Sequence, residues 1–542
     1  NFTGRFYHFM AIRALAPKIR SAHRLRRFVR PVNVASTALP AVDLTAADAE
    51  QNHRQPEIHA LLPPPPQFPS LSSALTAERT SRVLDLGDAE KLFSNVRSAK
   101  LLKSSATLQM AAIDPLVDVG MLVMNSKMLD MPVLRNAILG VVRRTFYEQF
   151  CAGEDREEMG RTVRRLWDSG IRSMLVYGVE DVDDNASCDR NFQGFLDTVQ
   201  YARTLPPSSA SFVIVKITAI CPMKILQRVS HLLRWEHKVP SLRLPWKHNT
   251  LPIFSDSSPL YHTSTKPDPL TPEEEHDLQL ALHRFTRLCR SCSEAHVPLT
   301  VDAEYTTVQP AIDYLTYSAA LVYNRGGHPV VFNTIQAYLK DAKERLVLAT
   351  EAAERMGVKL GIKLVRGAYM SSEARVASSL GSVSPVHDSI QDTHDCYNDC
   401  ASFMLERIAE GRGDAVVLAT HNVESGELAA SRALELGIGK DNVKLQFAQL
   451  YGMSEALSLC LKNAGFVVSK YMPFGPIDEV LPYLLRRAEE NRGMLATSAL
   501  DRTLMAQELK RRLKQLFRPV GGPGAGRGTR PAGKLGDQSA YN

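Results

Sequence analysis

Eight short apolar segments alternate with helical patterns between Ser173 and Ser469 of this 542-residue chain. Each segment is rich in Val, Ile or Leu, and most are followed by residues with helical periodicity, such as Ala337–Arg355 and Glu424–Leu436. This alternation predicts a parallel sheet whose strands are joined by helices. The predicted strands are Ser173–Tyr177, Phe212–Ile220, Leu299–Ala303, Val330–Ile335, Lys359–Val365, Ala415–Thr420, Val443–Phe447 and Phe466–Ser469.

The number of strand–helix units predicts how the sheet closes. Eight units over roughly 320 residues match the size of a (βα)8 TIM-like barrel, and an open doubly wound sheet is the alternative. No G-x-G-x-x-G opens the first unit, which disfavours a dinucleotide-binding sheet of that kind. We therefore predict an α/β barrel at residues 171–517, preceded by an N-terminal helical region at 81–170.

The two ends of the chain differ in composition from its middle. The first forty residues are rich in Arg, and no Asp or Glu occurs before Asp43. Such a segment is typical of an organelle transit peptide, with a disordered basic arm as the alternative. We predict a transit peptide and linker at residues 1–80 and a disordered tail at 518–542. A Pro-, Ser- and His-rich stretch at 231–271 is predicted to be a surface insertion after the second strand.

Composition argues against three kinds of protein. The formal net charge is +7, but the excess lies at the two ends, and the middle has no basic stripe with interleaved aromatic residues that would indicate nucleic-acid binding. Cys289 and Cys292 have CxxC spacing without a second pair, so we interpret them as helix cysteines and predict no metal site. No apolar run is long enough to predict a transmembrane helix.

Side-chain alternation along three predicted strands directs ionisable residues into the barrel. When the apolar set of each strand faces the helices, Lys216, Asp302 and Lys363 point inward, with Thr218 and Glu304 beside them. Active sites of such barrels lie at the C-terminal ends of the strands. The pattern therefore predicts a functional cluster, and an internal ion-pair network is the alternative interpretation.

A predicted helix at 477–492 carries polar groups on one face. Tyr483, Arg486, Arg487 and Glu490 have the spacing i, i+3, i+4 and i+7, which aligns them along a helix. Two adjacent guanidinium groups form a fork that suits a carboxylate or a phosphate. A solvated basic face with an i,i+4 pair is the alternative.

Five motifs occur together between Glu154 and Arg492. They are Asp302-Ala-Glu304, Gln336-Ala-Tyr338, Lys363-Leu-Val-Arg-Gly-Ala-Tyr-Met370, Ala419-Thr-His-Asn422, and Tyr471 followed by Tyr483-Leu-Leu-Arg-Arg487. In combination they resemble the proline dehydrogenase family, and its mitochondrial plant and algal branch in particular. The resemblance implies a distorted (βα)8 barrel that holds FAD, with the two-arginine helix as a final helix over the barrel mouth.

The resemblance also implies an activity and a location. Members of the family oxidise L-proline to Δ1-pyrroline-5-carboxylate by hydride transfer to flavin N5, the first step of proline catabolism. Electrons would pass to ubiquinone, with the protein bound peripherally at the matrix face of the mitochondrial inner membrane. Three alternatives stay open: a 4-hydroxyproline dehydrogenase of the same family, a barrel aldolase with Lys216 as Schiff base, and a non-catalytic binding scaffold.

Matching each motif residue by residue assigns roles to this chain. The resemblance implies that Arg486, Arg487 and Lys216 bind the proline carboxylate, and that Tyr471 and Tyr483 shape the ring pocket. Asp302 would lie beside the flavin and the substrate amine. The residues expected to hold FAD are Gln336, Lys363, Val365, Gly367, Ala368, Thr420, His421, Asn422 and Glu490.

Two positions depart from the family pattern. Many bacterial members have Arg-Leu-Val-Lys where this chain has Lys363-Leu-Val-Arg366, so a compact ammonium is expected near the flavin in place of a guanidinium. A Glu-Phe-Gln sequence of the family is replaced here by Gln446-Phe-Ala-Gln449, which puts that flavin contact in doubt. Tyrosine at the position of Tyr471 accompanies proline as substrate in the family, and a smaller residue there accommodates 4-hydroxyproline.

Overall fold

The computed structural model describes residues 83–113, five residues between 114 and 130, residues 131–493 and residues 495–517. The five are Asp118, Gly120, Leu122, Val123 and Ser126, and side chains at 488–498 are not described. The transit segment and linker predicted at 1–80 and the tail predicted at 518–542 lie outside the described residues.

Eight parallel strands close into a barrel in the order of the chain. The last strand pairs with the first from Arg172 opposite Ser469 to Tyr177 opposite Phe474. The predicted (βα)8 barrel is therefore confirmed. The strands are β1 (Arg172–Tyr177), β2 (Ala210–Val215), β3 (Leu299–Val301), β4 (Val331–Gln336), β5 (Gly361–Val365), β6 (Ala415–Ala419), β7 (Leu445–Leu450) and β8 (Val468–Phe474).

Helices precede the barrel and connect its strands. Before β1 lie α1 (Ala89–Phe93), α2 (Ser98–Ala111), α3 (Pro132–Val142), a π-helical turn (Arg143–Tyr147), α4 (Glu148–Phe150) and α5 (Arg156–Asp168). The connecting helices are α6 (Asn185–Ala202), α7 (Met223–Lys238), α8 (Pro272–Glu294), α9 (Gln309–Tyr323), α10 (Ala342–Arg355), α11 (Met370–Ser379), α12 (Ile390–Ala409), α13 (Val423–Glu435) and α14 (Glu455–Asn463). After β8 come α15 (Ile477–Gly493) and α16 (Leu495–Leu516), and no described helix is long and apolar enough to cross a membrane.

Apolar side chains close the floor of the barrel. The interior cluster consists of Met174, Val176, Phe212, Ile214, Phe332, Ala415, Val417 and Ala448. The rings of Phe212 and Phe332 meet edge to face with centroids 4.8 Å apart. Gly361 leaves room for this pair, since a Cβ atom there would lie 2.6 Å from the Phe332 ring. Of the charged residues predicted to point inward, Lys216 directly follows β2 and Asp302 directly follows β3, whereas Lys363 lies in the middle of β5.

Three predictions differ from the structure. β2 ends at Val215, and a 3-10 turn at Ile217–Ala219 follows, so Thr218 lies in that turn and not on a strand. The predicted insertion begins inside α7, and its remaining residues are not confined to the surface: Leu251 and Ser255 are buried. The two-arginine helix, predicted to be the final helix, is followed by α16, which packs against α2.

Candidate active site

A buried ion pair and a phenol meet where Asp302, directly after β3, faces Lys363 of β5 and Tyr471 of β8. Lys363 Nζ pairs with Asp302 Oδ1, and the Tyr471 hydroxyl donates to Asp302 Oδ2 at 2.7 Å. The Lys363 ammonium also lies 5.3 Å from the centroid of the Tyr471 ring. Lys363 and Asp302 lie inside the barrel, as predicted. Tyr471 joins them from β8, the strand that closes the barrel. The arrangement holds one carboxylate between a cation and a hydroxyl group.

A second cluster gathers two cations on one carboxylate. Arg486 of α15 donates to Glu180 through Nη1 at 2.6 Å and Nη2 at 3.0 Å. Lys216 Nζ lies 3.1 Å from Glu180 Oε2 and 3.4 Å from the Tyr369 hydroxyl. Burial acts to raise the pKa of Glu180, but Arg486 and Lys216 hold that pKa well below its usual range. Glu180 is therefore a partly buried anion that brings both cations to one point.

Lys216 is protonated in this surrounding. Burial acts to lower the pKa of its ammonium, but Tyr369, Glu180 and Glu304 raise that pKa well above its ordinary value. An amine must lose its proton before it can attack a carbonyl group. The setting of Lys216 therefore suits the binding of an anion better than Schiff-base chemistry.

Glu304 lies beside this cluster and is held by neighbouring strands. Its carboxylate accepts from Thr218 Oγ1 at 2.7 Å, and its backbone oxygen accepts from Gln336 Nε2 at 3.0 Å. Burial raises the pKa of Glu304 to about 7, although Lys216 opposes the rise. Gln336 thus reaches the mouth from β4, next to the carboxylates.

The helix α15 brings the remaining predicted groups to the same place. Arg487 stacks over the Tyr483 ring, with its guanidinium carbon 4.8 Å from the centroid. Both side chains are buried, and Arg486, the neighbour of Arg487, faces Glu180. The predicted polar face of this helix therefore points to the barrel. The alternative prediction, a basic face exposed to solvent, is wrong for Tyr483, Arg486 and Arg487. Glu490 lies on α15, but its side chain is outside the described ones.

A basic region follows β5 and β6. Arg366 donates to Thr420 Oγ1 at 2.8 Å and to Ser425 Oγ at 2.7 Å, and it stacks over the Tyr397 ring at 4.4 Å. His421 Nε2 accepts from the Leu450 backbone N–H at 3.0 Å.

Three cations lie close enough to His421 to disfavour its protonated form. Burial, together with the charges of Lys470, Arg487 and Arg366, lowers the pKa of His421 to about 3. These residues come from β8, α15 and the end of β5, so the positive charge is contributed by separate elements. An anionic group is favoured at this side of the mouth.

The residues at the ends of β4, β5 and β6 fit an anionic, planar cofactor. Lys363 and Gln336 supply donors at the mouth, and the basic region around His421 suits a pyrophosphate. Asn422 caps α13 by accepting from Ser425 N–H at 2.8 Å, so a helix N-terminus faces the same side. Gly367 has φ +121° and passes so close to the Tyr338 ring that a Cβ atom would overlap it. Val365 and Ala368 flank that turn.

Some residues of the site were not predicted from the sequence. Glu180, Tyr369 and Lys470 were missed. Arg366 was named only because Lys and Arg have exchanged places at positions 363 and 366 relative to many bacterial members. Glu180 follows β1, the strand end that contains the acidic pair Glu180-Asp181, so examination of that end would have found it. Lys470 is fully buried and pairs with Glu455 at 3.0 Å, a contact to a helix that no local pattern indicates.

Known proteins are similar to this chain over most of its length. A family model described as proline dehydrogenase matches residues 159–499. Mitochondrial proline dehydrogenase 1 of Arabidopsis thaliana is 56% identical over 447 residues, covering 82% of this chain and 90% of that protein. Hydroxyproline dehydrogenase of Homo sapiens is 36% identical over 430 residues, covering 77% of this chain and 91% of that protein.

A solved structure shares the fold. Proline utilization A (PutA) from Bdellovibrio bacteriovorus, inactivated by N-propargylglycine, superposes with a TM-score of 0.55 at 18% identity. The match covers 78% of this chain and 44% of that longer one, so this chain spans less than half the length of that protein. The resemblance read from the five motifs is confirmed by the family match. Because that match spans more than half of the sequence and a relative is 56% identical over most of it, this chain belongs to the proline dehydrogenase family.

Proposed function

We propose that this chain oxidises L-proline to Δ1-pyrroline-5-carboxylate with FAD as its cofactor. The observation that carries the proposal is the pairing of two kinds of group at one barrel mouth. A cationic cluster of Lys216 and Arg486 lies on one side, and the buried Asp302 with its partners Lys363 and Tyr471 lies on the other. Proline is a small zwitterion, so it needs a cation for its carboxylate and an anion for its amine.

The carboxylate of proline is proposed to bind the arginines of α15 together with Lys216. A guanidinium group offers five donors in one plane, and Glu180 occupies two of those of Arg486. A second carboxylate can therefore bind without complete loss of the Glu180 pair. Arg487 supplies a further guanidinium next to it, stacked on Tyr483.

The ring and amine of proline are proposed to lie toward Asp302. Tyr471 and Tyr483 offer aromatic surface for the ring carbons, and Asp302 is the anion placed to hold the amine. Oxidation removes a hydride from the ring carbon next to nitrogen and a proton from the nitrogen, which leaves the C=N bond of the product. FAD, when bound, supplies the hydride acceptor. The protein residues orient the substrate and keep water out of a buried site.

FAD is proposed to bind along the ends of β4, β5 and β6. Gln336, Lys363, Thr420, His421 and Asn422 lie in that region in the described part of the chain, and cations surround His421 there. Val365, Gly367, Ala368 and Glu490 complete the set by their match to the family motif. Gln446 donates to the Val443 backbone oxygen at 3.4 Å and accepts from Ser469, so we do not assign it to the cofactor.

The acceptor of the electrons is proposed to be ubiquinone at the matrix face of the mitochondrial inner membrane, with the protein bound peripherally. A relative 56% identical to this chain is named mitochondrial, and the first forty residues have transit-peptide composition. Both features support a mitochondrial location.

The test of this function is the visible spectrum of the purified protein under anaerobic conditions. We expect a flavin band near about 450 nm that bleaches when L-proline is added. A flavin band that does not respond to proline would move the substrate to another cyclic amine. A protein that takes up no FAD would contradict the proposal.

4-Hydroxyproline is the second candidate substrate, because a relative 36% identical to this chain is named hydroxyproline dehydrogenase. Tyr471 favours proline, since tyrosine at this position accompanies proline as substrate in the family and its hydroxyl is engaged by Asp302. We expect Tyr471→Ser to raise kcat/KM for trans-4-hydroxyproline relative to proline. Comparable kcat/KM for the two substrates in the unaltered enzyme would overturn the preference for proline.

A further inference from the structure

The helix α3 exposes apolar side chains on its outer side. Val133 and Val141 are 82% and 65% exposed, and Ala137 between them is also exposed. Their spacing of i, i+4 and i+8 places the three on one side of the helix. On the other side Leu139 and Val142 pack against the core. A helix in contact with water normally shows polar side chains on its outer face, so this helix has the opposite pattern.

We propose that this α3 stripe, formed by Val133, Ala137 and Val141, docks the protein on an anionic lipid bilayer. The proposal extends the function given above, in which electrons leave the protein for a quinone of the membrane. It identifies the surface that contacts the lipid, which the family relationship does not specify.

The charge around the stripe matches a negative surface. Residues 131–147 contain three arginines and neither Asp nor Glu. Arg135 and Arg143 are paired with carboxylates of other segments. Arg144 is exposed, and within the described part of the chain it forms no ion pair. It follows Val141 by three residues, so a cation stands beside the apolar stripe, as in helices that lie on anionic membranes.

The length of α3 fits a helix that lies in the plane of the interface. It has 11 residues, whereas about 20 are needed to cross the hydrocarbon of a bilayer. Apolar exposure continues before the helix, because Leu122 is 71% exposed and Met131 is 57% exposed. Met131, directly before α3, therefore extends the exposed apolar positions of the helix by one residue.

The α3 stripe is linked to the helix that covers the active site. Arg135 of α3 pairs with Asp478 at the start of α15, with 2.7 Å between nitrogen and oxygen. The Tyr147 hydroxyl, just after α3, lies 2.7 Å from the backbone oxygen of Gly475, two residues before α15. Since α15 carries Arg486, a bilayer held against α3 would lie near the barrel mouth. A short path between the cofactor site and a quinone in the lipid follows from this placement.

The test is sedimentation of the full FAD-loaded chain with lipid vesicles. Vesicles of phosphatidylcholine with phosphatidylglycerol are compared with vesicles of phosphatidylcholine alone. The double variant Val133→Ser/Val141→Ser removes the stripe. The control is Val383→Ser/Val322→Ser, because those valines are 81% and 65% exposed and so match the two of α3 in exposure. Proline-dependent reduction of a soluble dye is measured for every variant.

We expect the unaltered protein and the control to bind the anionic vesicles, and the stripe variant to bind them about tenfold less. Arg144→Gln should weaken binding about fivefold and reduce its dependence on salt. Dye reduction should be equal in all of them. Undiminished binding by the stripe variant, or no binding by the unaltered protein, would overturn the proposal. If the unaltered protein is a dimer and the stripe variant is a monomer, the proposal is overturned, because a second copy of the chain then covers the α3 stripe. Absence of dye reduction in the unaltered protein would instead count against the proposed function.

Discussion

Glu180 and Arg486 form a two-point ion pair at the mouth of the barrel, with nitrogen–oxygen distances of 2.6 and 3.0 Å. The first residue follows β1 and the second lies on α15, so the pair joins the beginning of the barrel to the helix after its last strand. Lys216 lies 3.1 Å from the same carboxylate. Glu180 thereby offsets the mutual repulsion of two cations that are proposed to bind one substrate carboxylate.

Glu180→Gln is expected to raise KM for proline about tenfold with a smaller change in kcat. Without the negative charge, Arg486 and Lys216 repel each other and lose the contact that positions them. The measurement is steady-state kinetics with a soluble dye as acceptor. Glu157→Gln, at an exposed position of α5, is the control and should leave both constants unchanged. A lower KM in the Glu180 variant would show that Glu180 competes with proline for the cations.

Lys363 is expected to control the reduction potential of the FAD that we propose as cofactor. Replacing it by Met removes a positive charge paired with Asp302, so the potential should fall by on the order of 30 mV, or about 1.4 kcal/mol for two electrons. Lys363→Arg keeps the charge but spreads it over a plane, so we expect a smaller fall. A spectroelectrochemical titration measures both. Midpoint potentials that match the unaltered protein in both variants would contradict this role.

Asp501 is expected to stabilise the fold by capping a helix distant in the sequence. Its carboxylate accepts from the Glu455 N–H at 2.9 Å and the Ala456 N–H at 3.0 Å, at the start of α14. Ser454, which precedes the helix, has φ +48° and makes no capping bond. Asp501→Ala should lower the free energy of unfolding by about 1–2 kcal/mol.

Chemical denaturation measures the effect of Asp501→Ala, with Asp268→Ala at an exposed loop position as the control. Equal stability of the two variants would show that α14 does not depend on α16 for its cap.

His421 is expected to make the stability of the protein decrease in acid. Burial and nearby cations lower its pKa to about 3, whereas an unfolded histidine has a pKa of about 6.5. Between these values the unfolded chain binds a proton that the folded state does not. The contribution is therefore fully present above pH 6.5 and is lost as the pH falls toward 3.

Urea denaturation from pH 7.5 to pH 5 tests this, by comparing the unaltered protein with His421→Gln. The unfolding free energy of the variant should fall less steeply with decreasing pH, by up to about 1.4 kcal/mol per pH unit. Parallel curves would mean that the pKa of His421 is the same in the folded and unfolded states.

Much of the barrel and part of the site can be predicted without the structure, for local reasons. Strand alternation has a period of two, which is a property of the backbone, so Lys363 could be assigned to the interior from its apolar neighbours Ile362 and Leu364. Helical spacing likewise brought Arg486 and Arg487 to one face with Tyr483. Strand ends were less predictable, as β2 shows. Ile217, Ala219 and Ile220, in and after the 3-10 turn, are as buried as the strand residues, so the apolar pattern does not mark where the strand ends.

The sequence by itself determined the alternation of eight strands with helices, the inward side of Lys216, Asp302 and Lys363, and the motifs of the family, because each depends on residues that are near one another in the chain. Only the tertiary structure decided the partners of these groups. Asp302 takes its two contacts from β5 and β8, and Glu180 takes Arg486 from 306 residues away. Closure of the barrel brings these ends together, and the pairing then follows from distance and from the cost of burying an unpaired charge.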